Sequence, residues 1–124
     1  MPHYDMRMRP PAAVIEIQVI DLVSGTAEHV PAKLDTGAAI SVLPQTTVET
    51  LQLIQTSEAA FYGYDGVLTM RPTYYVGIEV AGYRIPVIEV TSSRRTDVLL
   101  GRDVLNRFIV TFNGKDLTFE MRDP

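Results

Sequence analysis

The sequence of 124 residues contains no cysteine, which excludes disulfide bonds and thiolate metal sites and fits a reducing compartment. It has no apolar run near the roughly 20 residues of a membrane-spanning helix, and residues 1–13 lack the apolar centre of a signal peptide. Positive charge is also scarce, since the net charge is -4 and the only basic run is Arg94-Arg95. We therefore expect a cytoplasmic protein with no membrane partner and no nucleic-acid partner.

Histidine occurs only twice, as His3 and His29, and no cluster of other metal-ligating residues accompanies either one. The sequence therefore predicts no metal site and no cofactor. Ser41 lies near His29 along the chain but lacks the flanking glycines of a nucleophile elbow. The pattern around Ser41 therefore does not favour a serine hydrolase.

The stretch that stands out is Leu34-Asp35-Thr36-Gly37-Ala38, which lies between two groups of apolar residues. An acidic residue followed by a hydroxyl residue and a glycine forms a turn that offers a carboxylate to solvent. Gly37 can adopt backbone angles that other residues avoid, and it leaves room above the carboxylate. We interpret this stretch as an active-site loop, although the triplet alone is also compatible with an ordinary turn.

Periodicity predicts a nearly all-β chain. Apolar residues alternate with polar ones from Val14 onward, which indicates a half-buried strand, and Ser24-Gly25 turns it into a returning strand over 27–34. Further strands are predicted over 40–43, 59–62, 67–70, 74–81, 83–90, 98–100, 109–112 and 117–121. Glycine-containing turns separate the hairpins, and Asn113-Gly114 is the strongest of these signals.

The breaks between strands are predicted from helix and loop signals. One short helix is expected within 44–53, capped by Thr46 or Thr47, and a second turn of helix after a cap at Asp103. Pro72 and Pro86 should mark strand margins or edges. The polar stretch 91–96 is expected to form a loop.

Two motifs give the chain a resemblance to the retropepsin-like aspartic proteases. These are Asp35-Thr36-Gly37-Ala38 and the run Leu99-Leu100-Gly101-Arg102 that leads into Asp103-Val104-Leu105. The resemblance covers residues 14–121, so that residues 1–13 are expected to form an extended N-terminal arm. It implies a mainly β fold, a small closed barrel of the retropepsin or acid-protease type with one or two short helices.

The resemblance also implies roles for the residues of both motifs. Asp35 would be the catalytic carboxylate, Thr36 would bond to its mate in a second chain, and Ala38 would line the cleft. The hairpin tip would act as a flap over the substrate, through Gly63, Tyr64, Asp65, Gly66 and Val67. The supporting residues beneath the loop would be Leu99, Leu100, Gly101 and Arg102. Viral members commonly pair this arginine with an acid just after the loop, but this chain has Ala39 there, so the partner of Arg102 is left open.

Hydrolysis of a peptide by carboxylates needs two of them, one ionised to activate water and one protonated to donate to the carbonyl oxygen. The chain holds a single Asp-Thr-Gly triplet. A second copy must supply the other, which predicts a homodimer acting on a peptide or protein substrate. The alternative is a catalytically idle dimer of the same fold that binds extended peptides by strand addition.

Overall fold

The computed structural model describes residues 2–62 and 65–124. Within that part of the chain, strands account for 54% of the residues and helices for 8%, so the fold is mainly β as predicted. The elements in chain order are β1 (Val14–Asp21), β2 (Ala27–Leu34), β3 (Val42–Pro44), α1 (Gln45–Thr50), β4 (Ser57–Tyr62), β5 (Leu68–Val80), β6 (Tyr83–Ser93), β7 (Val98–Leu100), α2 (Arg102–Leu105), β8 (Ile109–Asn113) and β9 (Thr118–Arg122).

Six strands close into a barrel in the order β1-β2-β7-β3-β6-β5, because β1 pairs with β5 as well as with β2. The strand β4 is added outside this ring, on β5. The barrel interior is the core, and it is filled by branched aliphatic side chains from every wall, such as Val19, Leu43, Val76 and Leu100. The predicted closed barrel is confirmed.

The first hairpin forms as its alternating pattern predicts. Strands β1 and β2 pair antiparallel from Val14 opposite Lys33 to Ile20 opposite Ala27. In the turn, Ser24 Oγ donates to Asp21 Oδ2 at 2.6 Å, and this hydrogen bond is the main cause that lowers the pKa of Asp21. Strand β7 pairs with β2 only from Ala32 onward. Pro31, which has no backbone N–H, therefore removes no hydrogen bond between β2 and β7.

The next two hairpins share one long strand, β5, where the sequence had suggested two separate strands. Its last part pairs with β6 through the two-residue turn Ala81-Gly82, in which both residues have positive φ. The register shifts between Val76 and Ile78, so that Gly77 lies against Pro86. Pro86 thus lies at a bulge of β6, in a part of the strand that has β5 as its single partner among the described residues, which agrees with the expected edge position.

Two other local expectations were also wrong. The stretch expected to be a loop at 91–96 begins as strand, since β6 continues to Ser93 and pairs in parallel with β3. Two of its polar side chains find partners, since Thr91 Oγ1 donates to the carbonyl of Pro72 at 2.8 Å and Ser92 Oγ donates to Gln45 Oε1 at 3.0 Å. Helix α1 has Pro44 at its N-cap without a side-chain cap, and Thr47 instead donates to Glu28 Oε1 at 2.9 Å.

The C-terminal hairpin forms a separate sheet of β8 and β9. It is anchored to the barrel by Phe119, which is buried in the core. The start of the chain runs beside β9, where Tyr4 N donates to the carbonyl of Leu117 at 2.8 Å and the Tyr4 ring contacts Phe119. In the described residues no helix combines the length and apolar character needed to cross a membrane.

Candidate active site

The loop that follows β2 is fixed by backbone hydrogen bonds at the end of two parallel strands. Strand β2 pairs with β7 in parallel, with Leu34 opposite Leu100. Asp35 N then donates to the Leu100 carbonyl at 2.9 Å, and Ala38 N donates to the Asp35 carbonyl at 3.2 Å. The backbone of residue 35 is therefore held on both sides by the barrel and its own turn.

The Asp35 side chain is partly buried, and its orientation is set by Gly37. Gly37 N donates to Asp35 Oδ1 at 2.9 Å. A Cβ at position 37 would stand only 3.1 Å from the same oxygen. Among the glycines that the structure describes, those with positive φ are Gly25, Gly66 and Gly82, so the expectation that Gly37 serves through unusual backbone angles was wrong. Its role is to allow the close approach of the carboxylate.

The second motif lies directly beneath the loop. Arg102 N donates to the Ala38 carbonyl at 2.8 Å, and Arg102 Nη1 donates to the Thr36 carbonyl at 2.8 Å. The Thr36 carbonyl is thus the partner that the sequence left open. A Cβ on Gly101 would lie 2.8 Å from the Ala38 carbonyl oxygen, which is closer than side-chain carbons come to backbone. Only glycine fits between the loop and α2.

A buried network joins the two motifs through residues that the sequence did not single out together. The Asp103 carboxylate accepts from Ser41 N at 2.9 Å and from Ser41 Oγ at 2.8 Å. Ser41 Oγ in turn accepts from Gly101 N at 3.0 Å. Ser41 is fully buried, and the N-cap of α2 is Gly101, so Asp103 is not the cap that was expected. The one signal was a serine at a position flanked by Ile40 and Val42 in an otherwise apolar stretch.

The predicted flap corresponds to the hairpin of β4 and the first part of β5. The strands pair from Ser57 opposite Thr73 to Tyr62 opposite Leu68. At the tip, Val67 N donates to Asp65 Oδ1 at 2.9 Å, and Gly66 has a φ of 75°. The two other tip residues of the prediction, Gly63 and Tyr64, lie outside the described residues. Large apolar side chains are exposed along this hairpin, among them Tyr62, Val67, Leu68 and Met70.

A groove of about 670 Å³ runs between this hairpin and the loop. Its floor begins at Gly37, two residues after Asp35, and Leu99 also contributes to it. Its walls come from the hairpin on one side, including Phe61, and from the end of β6 on the other, including Thr91. None of the described residues that line it carries a carboxylate. The lining of the groove is mainly apolar, and its volume lies within the range typical of ligand-binding clefts.

The other candidate sites find no support in the geometry. His29 is exposed on β2, and the hydroxyl of Ser41 is committed to Asp103 and Gly101. Across residues 2–62 and 65–124, no group of three or more His, Cys, Asp or Glu side chains is arranged to hold a metal ion.

A comparison with protein-family models matches residues 23–107 to the family described as "gag-polyprotein putative aspartyl protease". The matched range includes the Asp35 loop, the hairpin of β4 and β5, and helix α2. No curated protein matches the chain.

Solved structures with the same fold include a retropepsin-like aspartic protease from Rickettsia conorii, at 18% identity and a TM-score of 0.66, covering 93% of this chain and 86% of that one. The protease of simian foamy virus (mac) matches at 24% identity and a TM-score of 0.54, covering 75% of this chain and 91% of that one. The retroviral protease-like domain of Ddi1 from Leishmania major matches at 18% identity and a TM-score of 0.52, covering 87% of each chain. At these identities the likeness is one of fold.

Proposed function

The chain belongs to the gag-polyprotein aspartyl protease family, and from this premise we propose that it is a homodimeric aspartic endopeptidase. Asp35 of each chain would act on a water molecule that attacks the substrate carbonyl. The observation that carries the proposal is the Asp35-Thr36-Gly37 loop, fixed by backbone hydrogen bonds at the edge of an open groove. Gly37 N orients the carboxylate, and Arg102 holds the loop from below.

The need for a second chain follows from the number of carboxylates. One Asp-Thr-Gly loop is present, and no described residue lining the groove is acidic. A two-fold axis beside the loop would bring the two Asp35 side chains together, and Thr36, exposed in the single chain, would face its copy. In the part of the chain that the structure describes, β8 pairs with β9 alone and exposes Ile109 and Phe112. Such an open, apolar edge suits an interface with a second copy.

Two carboxylates in contact cannot both be ionised, so they would share one proton. The ionised carboxylate would take a proton from the water molecule while the water oxygen bonds to the substrate carbonyl carbon. The protonated carboxyl group would at the same time donate its proton to the carbonyl oxygen. Collapse of the tetrahedral intermediate would then break the C–N bond, with a proton passing to the leaving amine. The flap hairpin, closing with its exposed apolar residues, would exclude bulk water from this step.

A second candidate is the catalytically idle dimer that binds extended peptides. It is favoured by one observation, that β4 is the last strand of its sheet and that no strand within residues 2–62 and 65–124 pairs with its outer edge. A peptide could add there as a further strand without being cleaved. The two candidates differ in turnover and not in binding.

The test is incubation of the purified dimer with denatured casein over a range of acidic and neutral pH values, with and without a statine-type inhibitor. We expect cleavage that the inhibitor blocks and that Asp35→Asn abolishes, because the amide is nearly isosteric but has neither the acid nor the base role. Circular dichroism and sedimentation must show that the variant stays folded and dimeric. Cleavage by Asp35→Asn at the wild-type rate would rule out the aspartic mechanism, whereas binding without cleavage by the wild type would favour the second candidate.

A further inference from the structure

The groove carries positive charge in an otherwise acidic protein. Arg71 and Arg95 are the two charged side chains among its described lining residues, one from β5 and one from the segment after β6. The chain as a whole has a net charge of -4. We propose that these two arginines form a pocket that selects a glutamate or aspartate side chain of the substrate. The role of the pocket in cleavage rests on the proposed function, but its preference in binding does not.

Arg95 is held in place and has unused donors. Its Nη2 donates to Asp97 Oδ1 at 2.8 Å, and the side chains of Arg95 and Asp97 are 33% and 11% exposed. A guanidinium has five N–H donors, so this ion pair leaves most of them available. Within the described residues, Arg95 Nε is buried and has no hydrogen-bond partner, and neither has the neighbouring Ser93 Oγ. A buried donor without a partner is unfavourable, and a ligand oxygen that reorients this group would relieve it.

Arg71 supplies the positive charge of the pocket that no carboxylate of the described residues neutralises. Its Nη1 approaches the Ser92 carbonyl at 3.4 Å, which is a long and weak contact. Asp97 neutralises Arg95, whereas no ion pair is found for Arg71 among the described residues. The pocket therefore has a net charge near +1, which matches one carboxylate.

The remaining walls explain why the ligand should be an amino-acid side chain. Ala60 and Phe61 of the flap hairpin, and Ile40 beyond the loop, line the same groove as the two arginines. An apolar wall beside a guanidinium suits a methylene chain that ends in a carboxylate. A peptide lying in the groove would place one such side chain here while its backbone passes over Asp35.

The experiment compares peptides that carry glutamate or glutamine at each position on either side of the cleaved bond. For the wild type, kcat/KM is measured, and binding is measured by fluorescence anisotropy on the folded Asp35→Asn dimer. At one position or more we expect glutamate to be favoured about tenfold in both assays, as for a charge-assisted hydrogen bond in a partly buried site. Arg71→Gln and Arg95→Gln should each bring that ratio close to one.

The matched control is Arg94→Gln, since Arg94 is the exposed neighbour of Arg95 and does not line the groove. It should keep the wild-type ratio. Arg71→Gln carries the test if Arg95→Gln fails to fold after Asp97 loses its partner. Equal use of glutamate and glutamine at every position, or an unchanged ratio in a folded Arg71→Gln variant, would overturn the pocket. If glutamate is preferred in binding but the wild type hydrolyses none of the peptides, the pocket is supported and the proposed protease activity is refuted.

Discussion

Replacing Ser41 by alanine should destabilise the protein by about 3 kcal/mol, because the buried serine hydroxyl bonds at once to the buried Gly101 N–H and to the half-buried Asp103 carboxylate. It donates to Asp103 Oδ1 at 2.8 Å and accepts from Gly101 N at 3.0 Å. Alanine leaves the Gly101 N–H without an acceptor, which costs about 1–3 kcal/mol in a buried site, and removes one donor from a carboxylate. The space left by one oxygen atom is too small for a compensating water.

The assay is urea denaturation of wild type and variant at one fixed protein concentration, since the proposed dimer would make stability depend on concentration. With a slope of about 2 kcal/mol per molar urea, typical of a small protein, the midpoint should fall by about 1.5 M. Ser57→Ala is the control, because Ser57 is exposed and its hydroxyl makes only a contact of 3.5 Å to the Glu58 carbonyl.

Activity gives a second readout of the same change. Ser41 and Gly101 connect the loop to α2, so loss of the hydroxyl should lower kcat/KM even at urea-free conditions where the variant is folded. A midpoint within about 0.3 M of the wild type would refute the network as a source of stability, given that slope. Full activity in a destabilised variant would show that the network supports the barrel and leaves the loop unaffected.

Two further predictions concern the loop and its pairing. Equal amounts of wild-type and Asp35→Asn chains, once re-paired at random and checked with a mass tag, should retain about a quarter of the activity of the same total of wild type, because only that fraction of dimers has two aspartates. Retention of about a half would mean that each chain works alone. Gly101→Ala should reduce stability by about 1–3 kcal/mol and nearly abolish casein cleavage, since its methyl group would collide with loop backbone. Gly114→Ala is the control, because nothing lies within 4 Å of a Cβ at that position, and equal behaviour of the two variants would contradict the close fit.

The local parts of the fold were predictable because they depend on short patterns. The bounds of β2 agree with the prediction of 27–34, since Gly25 and Asp35 frame an alternating run. The pairing of β1 with β5 has no such local signal, because it joins residues about 60 positions apart and depends on barrel closure. Strand residues Thr91 and Ser92 were taken for loop because they are polar, yet barrel packing buries both of them. At positions where the local preference for strand or loop is weak, packing in the barrel determines the secondary structure.

The candidate site divides in the same way. The loop residues from Asp35 to Ala38 were recognised as a contiguous motif, and so was Arg102. The contact between Ser41 and Asp103 spans 62 positions, and neither residue has a pattern of its own. This contact could not be predicted from the sequence, because only folding brings the Asp103 carboxylate in α2 next to the buried hydroxyl of Ser41.

Two-fold symmetry gives the charged groove a consequence for the substrate. If the dimer axis passes between the two Asp35 side chains, each copy of Arg71 and Arg95 lies on one side of the cleaved bond. The two pockets are chemically identical, but an extended peptide runs from its N-terminus to its C-terminus. One pocket therefore faces residues before the cleaved bond, and the other faces residues after it. Acidic side chains should then be favoured at two positions placed roughly equally on either side of the bond, and a peptide with both should gain from each. A preference confined to one side would mean that the pockets are not equivalent when substrate is bound.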